Sequence, residues 1–192
     1  MDLQSILTDY VKGSVTDKVA QKVGVDDGTA NDVMEKAIPL LLGGLKHNAA
    51  TKEGAEALDT AVSKDHDGSI LTDILGSVGG DGAQTDGSKI LGHIFGSKLP
   101  GVTDELSKAS GADASQATSI LTVLAPIVLG QLGKAKQEQG LDAGGLSDLL
   151  GGQRLSDKSG LLGTLNSLFD RDGDGSAIDD IVGMGQTFFG KK

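Results

Sequence analysis

Apolar residues recur at spacings of three and four along most of the chain, which is the pattern of helices with one buried face. The clearest example lies in residues 114–133, where the apolar face is carried by Ala117, Ile120, Leu121, Leu124, Ile127 and Val128. The alternation of apolar and polar residues that is typical of strands is not sustained over any useful length. The pattern therefore predicts an all-α, multihelical fold of about ten short helices.

The same pattern contains an internal repeat with an offset of 87 residues. Val15–Leu45 aligns with Val102–Leu132, and ten of the 31 aligned positions are identical. We therefore expect two related halves, each built around a short helix that is followed by a long one.

Each copy of the repeat carries the residue types that begin and end helices. We expect a threonine to cap the short helix, a glycine in the left-handed conformation to end it, and an aspartate to cap the long helix. These residues are Thr16, Gly24 and Asp26 in the first copy, and Thr103, Gly111 and Asp113 in the second. Pro39 and Pro126 lie inside the predicted long helices, and each is expected to kink its helix.

The predicted organisation has four parts, which are an N-terminal helix in residues 1–13, the repeat halves in 14–96 and 97–169, and an acidic loop with a C-terminal helix in 170–192. Glycine-rich joints are expected at Gly76–Gly87, Gly144–Gly145 and Gly151–Gly152. The two halves form either one compact domain or two tightly packed units.

Composition and charge narrow the function classes. Glycine supplies 30 of the 192 residues, whereas the aromatics are four Phe and one Tyr, which favours short helices that pack through small side chains. The formal net charge is −10, so a basic surface that binds nucleic acid is not expected. The chain has no cysteine, which excludes disulfides and thiolate metal sites.

One stretch, residues 114–133, carries no formal charge and has about the length of a membrane-spanning helix. Only Ile120–Leu132 is strongly apolar, however, and the equivalent helix of the first copy contains Asp32, Glu35 and Lys36. The pattern therefore favours a buried core helix over a membrane span. The N-terminus lacks the basic and apolar regions of a signal peptide, so a cytoplasmic location is expected.

The strongest chemical signal is an acidic loop that begins like the calcium-binding loop of an EF-hand, with the pattern D-x-D-x-D-G. Position twelve is Ile181 in place of the usual bidentate glutamate, so another aspartate would have to close the site. The candidate ligands of Ca²⁺ are Asp170, Asp172, Asp174, the backbone carbonyl of Ser176, and Asp179 or Asp180. The alternative interpretation is a turn and a helix cap with solvated carboxylates.

Two further sets of residues give weaker signals. A related half-motif lacks a third leading acid, so a turn with a helix cap is favoured over a second metal site at Asp65, Asp67 and Asp73. The histidines show no metal-ligand spacing, and each is expected to be an exposed or packed side chain: His47, His66 and His93.

The order of several segments resembles the YidB-like family of bacterial proteins, the domain-of-unknown-function family 937. These segments read IPLLLGGLKHNA, DHDGSILTDILG, GSKILGHIFG, SGADASQATSILTVLAPIVLGQLGKA and GLDAGGLSDLLGG. The resemblance implies a multihelical bacterial protein, and it implies no enzyme activity and no catalytic residue.

The sequence contains no recognisable nucleophile elbow, phosphate-binding loop or paired acid and base, so an enzyme is not expected. The leading hypothesis is a non-enzymatic helical scaffold or interaction module that self-associates or binds a protein partner, with Ca²⁺ holding its C-terminal segment. The alternatives are a helical domain that binds a small ligand or lipid between the two halves, and a membrane-associated protein.

Overall fold

The computed structural model describes residues 2–64, 68, 71, 81–157 and 159–170. Regular structure within these residues is helical throughout, which confirms the predicted all-α class. The α-helices are α1 (Leu3–Val11), α2 (Ser14–Val23), α3 (Asp27–Asn48), α4 (Lys52–Lys64), α5 (Asp81–Phe95), α6 (Leu99–Ser110), α7 (Ala114–Gln139), α8 (Ala143–Gly151) and α9 (Leu161–Phe169), and a 3-10 turn, Gly96–Lys98, joins α5 to α6. The number of helices in the whole chain and its division into four parts stay predictions.

The predicted aspartate caps and glycine ends are confirmed. Asp26 accepts a backbone N–H from the first turn of α3 at 2.9 Å. Asp113 accepts the Gln116 N–H at 2.8 Å, and the Gln116 side chain accepts the Asp113 N–H at 3.0 Å, which completes a capping box at the start of α7. Gly24 and Gly111 end α2 and α6 with φ values of 78° and 73°, a region that residues with side chains rarely adopt.

The prediction that Thr16 and Thr103 cap α2 and α6 is wrong. α2 begins at Ser14, so Thr16 lies inside the helix, and its hydroxyl donates to the Val11 carbonyl at 2.8 Å. Val11 ends α1, so this bond satisfies one of the carbonyls that a helix end leaves without a partner. Thr103 also lies inside its helix, where its hydroxyl donates to the Pro100 carbonyl at 2.9 Å.

The joint that was predicted at Gly76–Gly87 is wrong in its second part, because α5 begins at Asp81. Gly87 is buried where α5 packs against α7, and a Cβ atom there would overlap the backbone carbonyl of Thr122. This glycine therefore allows two helices to approach closely, whereas the sequence pattern favoured a loop. Residues 76–80 lie outside the described part of the chain.

The other two glycine pairs lie at the ends of α8. Gly144–Gly145 is not a joint, because it belongs to the first turn of this helix, where Asp142 accepts the Gly145 N–H at 2.8 Å. The joint at Gly151–Gly152 is confirmed, since α8 ends there. One glycine pair thus begins the helix and the other ends it.

α3 and α7 form the centre of the fold, because they pack against each other and together contact most of the other helices. Residues 120–133 of α7 are all buried, as are residues 37–42 of α3. Both helices contain their predicted proline, Pro39 or Pro126, in a buried position. The expected kinks at these prolines stay predictions.

α7 is the one helix in the described residues that is long and apolar enough to cross a membrane, judged by length and composition. Most of its apolar stretch is buried within the protein, as in the core helix of a globular protein. This burial agrees with the core helix that the sequence pattern favoured. The cytoplasmic location stays a prediction.

α1 is tied to a segment far along the chain. The Gln153 side chain is buried and accepts the Leu3 N–H at 2.9 Å. The Gln4 amide makes two hydrogen bonds with the backbone of Ser156, accepting its N–H at 2.7 Å and donating to its carbonyl at 2.8 Å. These bonds hold the segment between α8 and α9 in place, and thereby help to position α9 and its last residue, Phe169.

Candidate functional site

A cleft of about 880 Å³ lies where α3, α4 and α5 meet. Its lining comes from the end of α3 (residues 45–48), from α4 and the residue before it (51–61), and from α5 with the turn that follows (86–98). Leu129 of α7 and Phe169 of α9 complete it. This volume falls within the range that is typical of small-molecule sites, roughly 300–1,000 Å³.

The floor of the cleft is apolar and continuous with the hydrophobic core. Its six side chains are each less than a tenth exposed: Leu45, Leu58, Ile90, Ile94, Phe95 and Leu129. The α4 wall is lined by the small residues Gly54, Ala57 and Ala61, which lie at helical spacings of three and four. Because these side chains are small, they leave space beside the apolar floor.

Asn48 holds the end of α3 against the end of α5. Its side-chain amide donates to the carbonyls of His93 and Ile94, at 3.1 and 3.0 Å. Both carbonyls belong to the last turn of α5, where carbonyls have no partner within the helix. Thr51 then begins α4 by accepting the Gly54 N–H at 3.1 Å. The cleft therefore has walls whose backbones are fixed by specific hydrogen bonds.

His47 and Phe169 form one end of the cleft lining. Their ring centroids are 4.2 Å apart and the ring planes are tilted by 34°. The imidazole is half-buried, and this burial lowers the pKa of His47 below its usual value of 6.5. The neutral imidazole is thus the main form at neutral pH, and it can donate one hydrogen bond and accept another.

Polar side chains also line the cleft, and we call them the polar edge: Asp86, Lys89, His93, Ser97 and Lys98. Lys89 and His93 are exposed, whereas Asp86 and Lys98 are half-buried. The three members on α5 lie at spacings of three and four, so they share one face of the helix. The lining contains two lysines and one carboxylate, which gives it a local excess of positive charge, although the whole chain carries a net charge of −10. The cleft therefore joins an apolar floor to a locally basic edge.

The predicted calcium loop falls almost entirely outside the described residues. Asp170 is described: it follows α9, and its N–H donates to the Asn166 carbonyl at 2.8 Å. The other loop candidates lie outside: Asp172, Asp174, Ser176, Asp179 and Asp180. The half-motif and one histidine lie outside as well: Asp65, Asp67, Asp73 and His66. Among the described residues no group of three or more His, Cys, Asp or Glu side chains is suited to hold a metal ion.

Sequence reasoning missed the cleft and the residues that meet in it. His47 and His93 were considered one at a time, yet both line the same cavity. A partial signal was present, because each histidine lies in the last turn of an apolar helix. Their proximity to the cleft depends on how α3 and α5 pack, which helical periodicity alone does not specify.

Fold and cleft together define an all-α protein with a partly apolar cavity of ligand size. The family model described as bacterial protein of unknown function (DUF937) matches residues 5–135, and the chain belongs to this family. The matched range contains every residue that lines the cleft except Phe169 of α9. Comparisons with curated proteins and with solved structures find no match.

Proposed function

We propose that the protein is a non-enzymatic binding protein and that its cleft holds a small amphipathic molecule. The observation that carries this proposal is the cleft of about 880 Å³ with a buried apolar floor and a polar edge. Ligand sites are typically concave and mostly apolar, with a few polar groups that orient the ligand. The arrangement suits binding, because the apolar part of a ligand can pack on the floor while its polar part contacts the polar edge.

The hypotheses drawn from the sequence are compatible with this role and remain proposals. A scaffold that self-associates or binds a protein partner is one, and a Ca²⁺ ion in the loop that begins at Asp170 is another. We also infer that α2–α3 and α6–α7 are copies of one unit. Support for this comes from their matching glycine ends, at Gly24 and Gly111, and from their matching aspartate caps, at Asp26 and Asp113.

Binding in the cleft is tested with a neutral apolar dye, Nile red, whose fluorescence rises in apolar surroundings. Ala57→Trp places a large ring in the cleft from an exposed position on α4, so the fold should tolerate it. We expect saturable binding by the native chain and a loss of affinity of about tenfold or more in the variant.

The matched control is Thr60→Trp, which adds the same ring to an exposed position of α4 outside the cleft lining. It should bind the dye like the native chain. Far-ultraviolet circular dichroism establishes that both variants keep their helices. Absence of dye binding by the native chain, or equal binding by Ala57→Trp, overturns the proposed function.

A further inference from the structure

We infer that the molecule in the cleft is a single-chain anionic amphiphile, with its anionic head at Lys89 and Lys98 and its alkyl chain on the apolar floor. This inference rests on the proposed function and specifies the ligand class for the same site. Its support comes from the charges around the polar edge and from the apolar side chains of the floor.

The charged side chains of the cleft favour an anion. Lys89 and Lys98 supply two positive charges, and Asp86 supplies one negative charge. His47 is mainly neutral near pH 7, because its burial lowers its pKa. A net positive edge on an otherwise acidic chain attracts anions and disfavours cations.

The two helix ends at the edge carry opposite partial charges, so the preference for an anion depends on the two lysines. α6 begins directly after Lys98, but its first N–H, at Leu99, donates to the Gly96 carbonyl, and its second residue is Pro100, which has no N–H. The C-terminus of α5 lies there too and carries the opposite partial charge. Asn48 donates to two of the carbonyls in that last turn, at His93 and Ile94, which offsets their negative charge.

The floor fits an alkyl chain. Five aliphatic side chains and Phe95 form it, and the α4 wall beside it is lined by small residues. A flexible chain without rings buries its methylene groups on such a surface, and each buried CH₂ contributes about 0.8 kcal/mol in transfer free energy. The volume of about 880 Å³ is large enough for an alkyl chain and a small head.

The test compares three ligands with the same alkyl chain, titrated calorimetrically into the full-length protein below their micelle concentrations: dodecanoate, dodecanol and dodecylamine. We expect the anion to bind about tenfold more tightly than the alcohol, and the amine to bind most weakly. Raising the salt concentration should weaken the binding of dodecanoate and leave that of dodecanol unchanged.

Two variants locate the head group. The double variant Lys89→Gln with Lys98→Gln should lose about tenfold in affinity for dodecanoate and keep its affinity for dodecanol. The control is Lys52→Gln, which removes an exposed α4 lysine that lies 3.8 Å from Glu56 and outside the cleft lining. It should change neither affinity.

The possible outcomes separate the two proposals. Equal binding of anion and alcohol, tighter binding of the amine, or an unchanged dodecanoate affinity in the double variant overturns the anionic head and leaves the cleft as a binding site. Binding of Nile red without binding of any of the three ligands also overturns this inference alone. If the native chain does not bind Nile red, the proposed function fails, and this inference fails with it.

Discussion

At His47, burial affects the pKa of the side chain more strongly than the position of the residue at the end of a helix does. It lies in the last turn of α3, where the partial negative charge of the helix end favours a protonated imidazole. Its ring is nevertheless half-buried against Phe169, and this burial lowers the pKa. The desolvation of a charged imidazole therefore dominates at this site.

The lowered pKa of His47 predicts a pH-dependent stability. The unfolded chain takes up a proton near pH 6.5, whereas the folded chain does so only at lower pH. The free energy of unfolding therefore decreases as the pH falls from 6.5 to the lowered pKa. Below the lowered pKa both states are protonated, and the loss of stability stays constant. His47→Phe keeps an aromatic ring beside Phe169 and removes this titration.

Urea unfolding at about pH 7.5 and about pH 5 checks this prediction. The loss of unfolding free energy on acidification should be smaller in His47→Phe than in the native chain. Because the site is only half-buried, we predict the direction of the change and not its size. An equal loss in both proteins would contradict the prediction.

Local rules were sufficient for some helix ends and insufficient for others. Asp26 and Asp113 cap helices through bonds to their own first turns, so the neighbouring sequence contains what the prediction needs. Thr16 instead bonds to Val11 of the preceding helix, because α2 begins two residues before it. The direction of a hydroxyl depends on the path of the chain, which residue type does not specify.

At the scale of elements, α5 is a helix although glycines make up a large share of its sequence. Gly87 and Gly92 lie inside it, and glycine in a helix interior usually costs roughly 1 kcal/mol relative to alanine. Packing against α7 and α3 compensates for this low intrinsic preference. The sequence pattern assigned the first residues of α5 to a connector, because the helix propensity of glycine is low and the packing against α7 and α3 is not visible in the sequence.

The two glycines of α5 give a matched pair of predictions. Gly87→Ala should destabilise the protein by roughly 1–3 kcal/mol, because its methyl group would overlap the Thr122 carbonyl of α7, and a backbone atom cannot move aside cheaply. Gly92→Ala has open space around its Cβ and should stabilise the protein by roughly 0.5–1 kcal/mol.

Thermal or urea unfolding of both glycine variants provides the measurement. The two variants lie in one helix and are expected to change the free energy of unfolding in opposite directions. Their comparison therefore distinguishes the effect of close packing from the effect of helix propensity. A stabilised Gly87→Ala would show that α5 and α7 can move apart easily. That result would also weaken the argument that this contact fixes the position of α5 at the cleft.

At the scale of the whole molecule, the helical class followed from the periodicity of apolar residues, and the cleft did not. Its lining comes from segments that begin at Leu45 and end at Phe169. Each segment reads as an ordinary piece of amphipathic helix, so only their packing reveals the cavity. That packing alone brings the small residues of α4 together with His47 and His93.

The acidic loop remains a separate prediction for the whole chain. Calorimetric titration with Ca²⁺ at about millimolar concentration should release or absorb heat, since three carboxylates in this spacing suit a hard cation. Asp172→Ala and Asp174→Ala should abolish that heat. Asp67→Ala in the half-motif serves as the control and should preserve it. No heat with the native chain would remove calcium from the proposal.

Phe169 also determines when the site is complete during synthesis. The ribosome releases the α3, α4 and α5 walls long before the residue that stacks on His47, so a nascent chain lacks the full lining until α9 has emerged and docked. A ligand that needs the whole lining therefore binds chains in which α9 has docked in preference to shorter precursors. By mass action, binding of such a ligand would stabilise the docked position of α9.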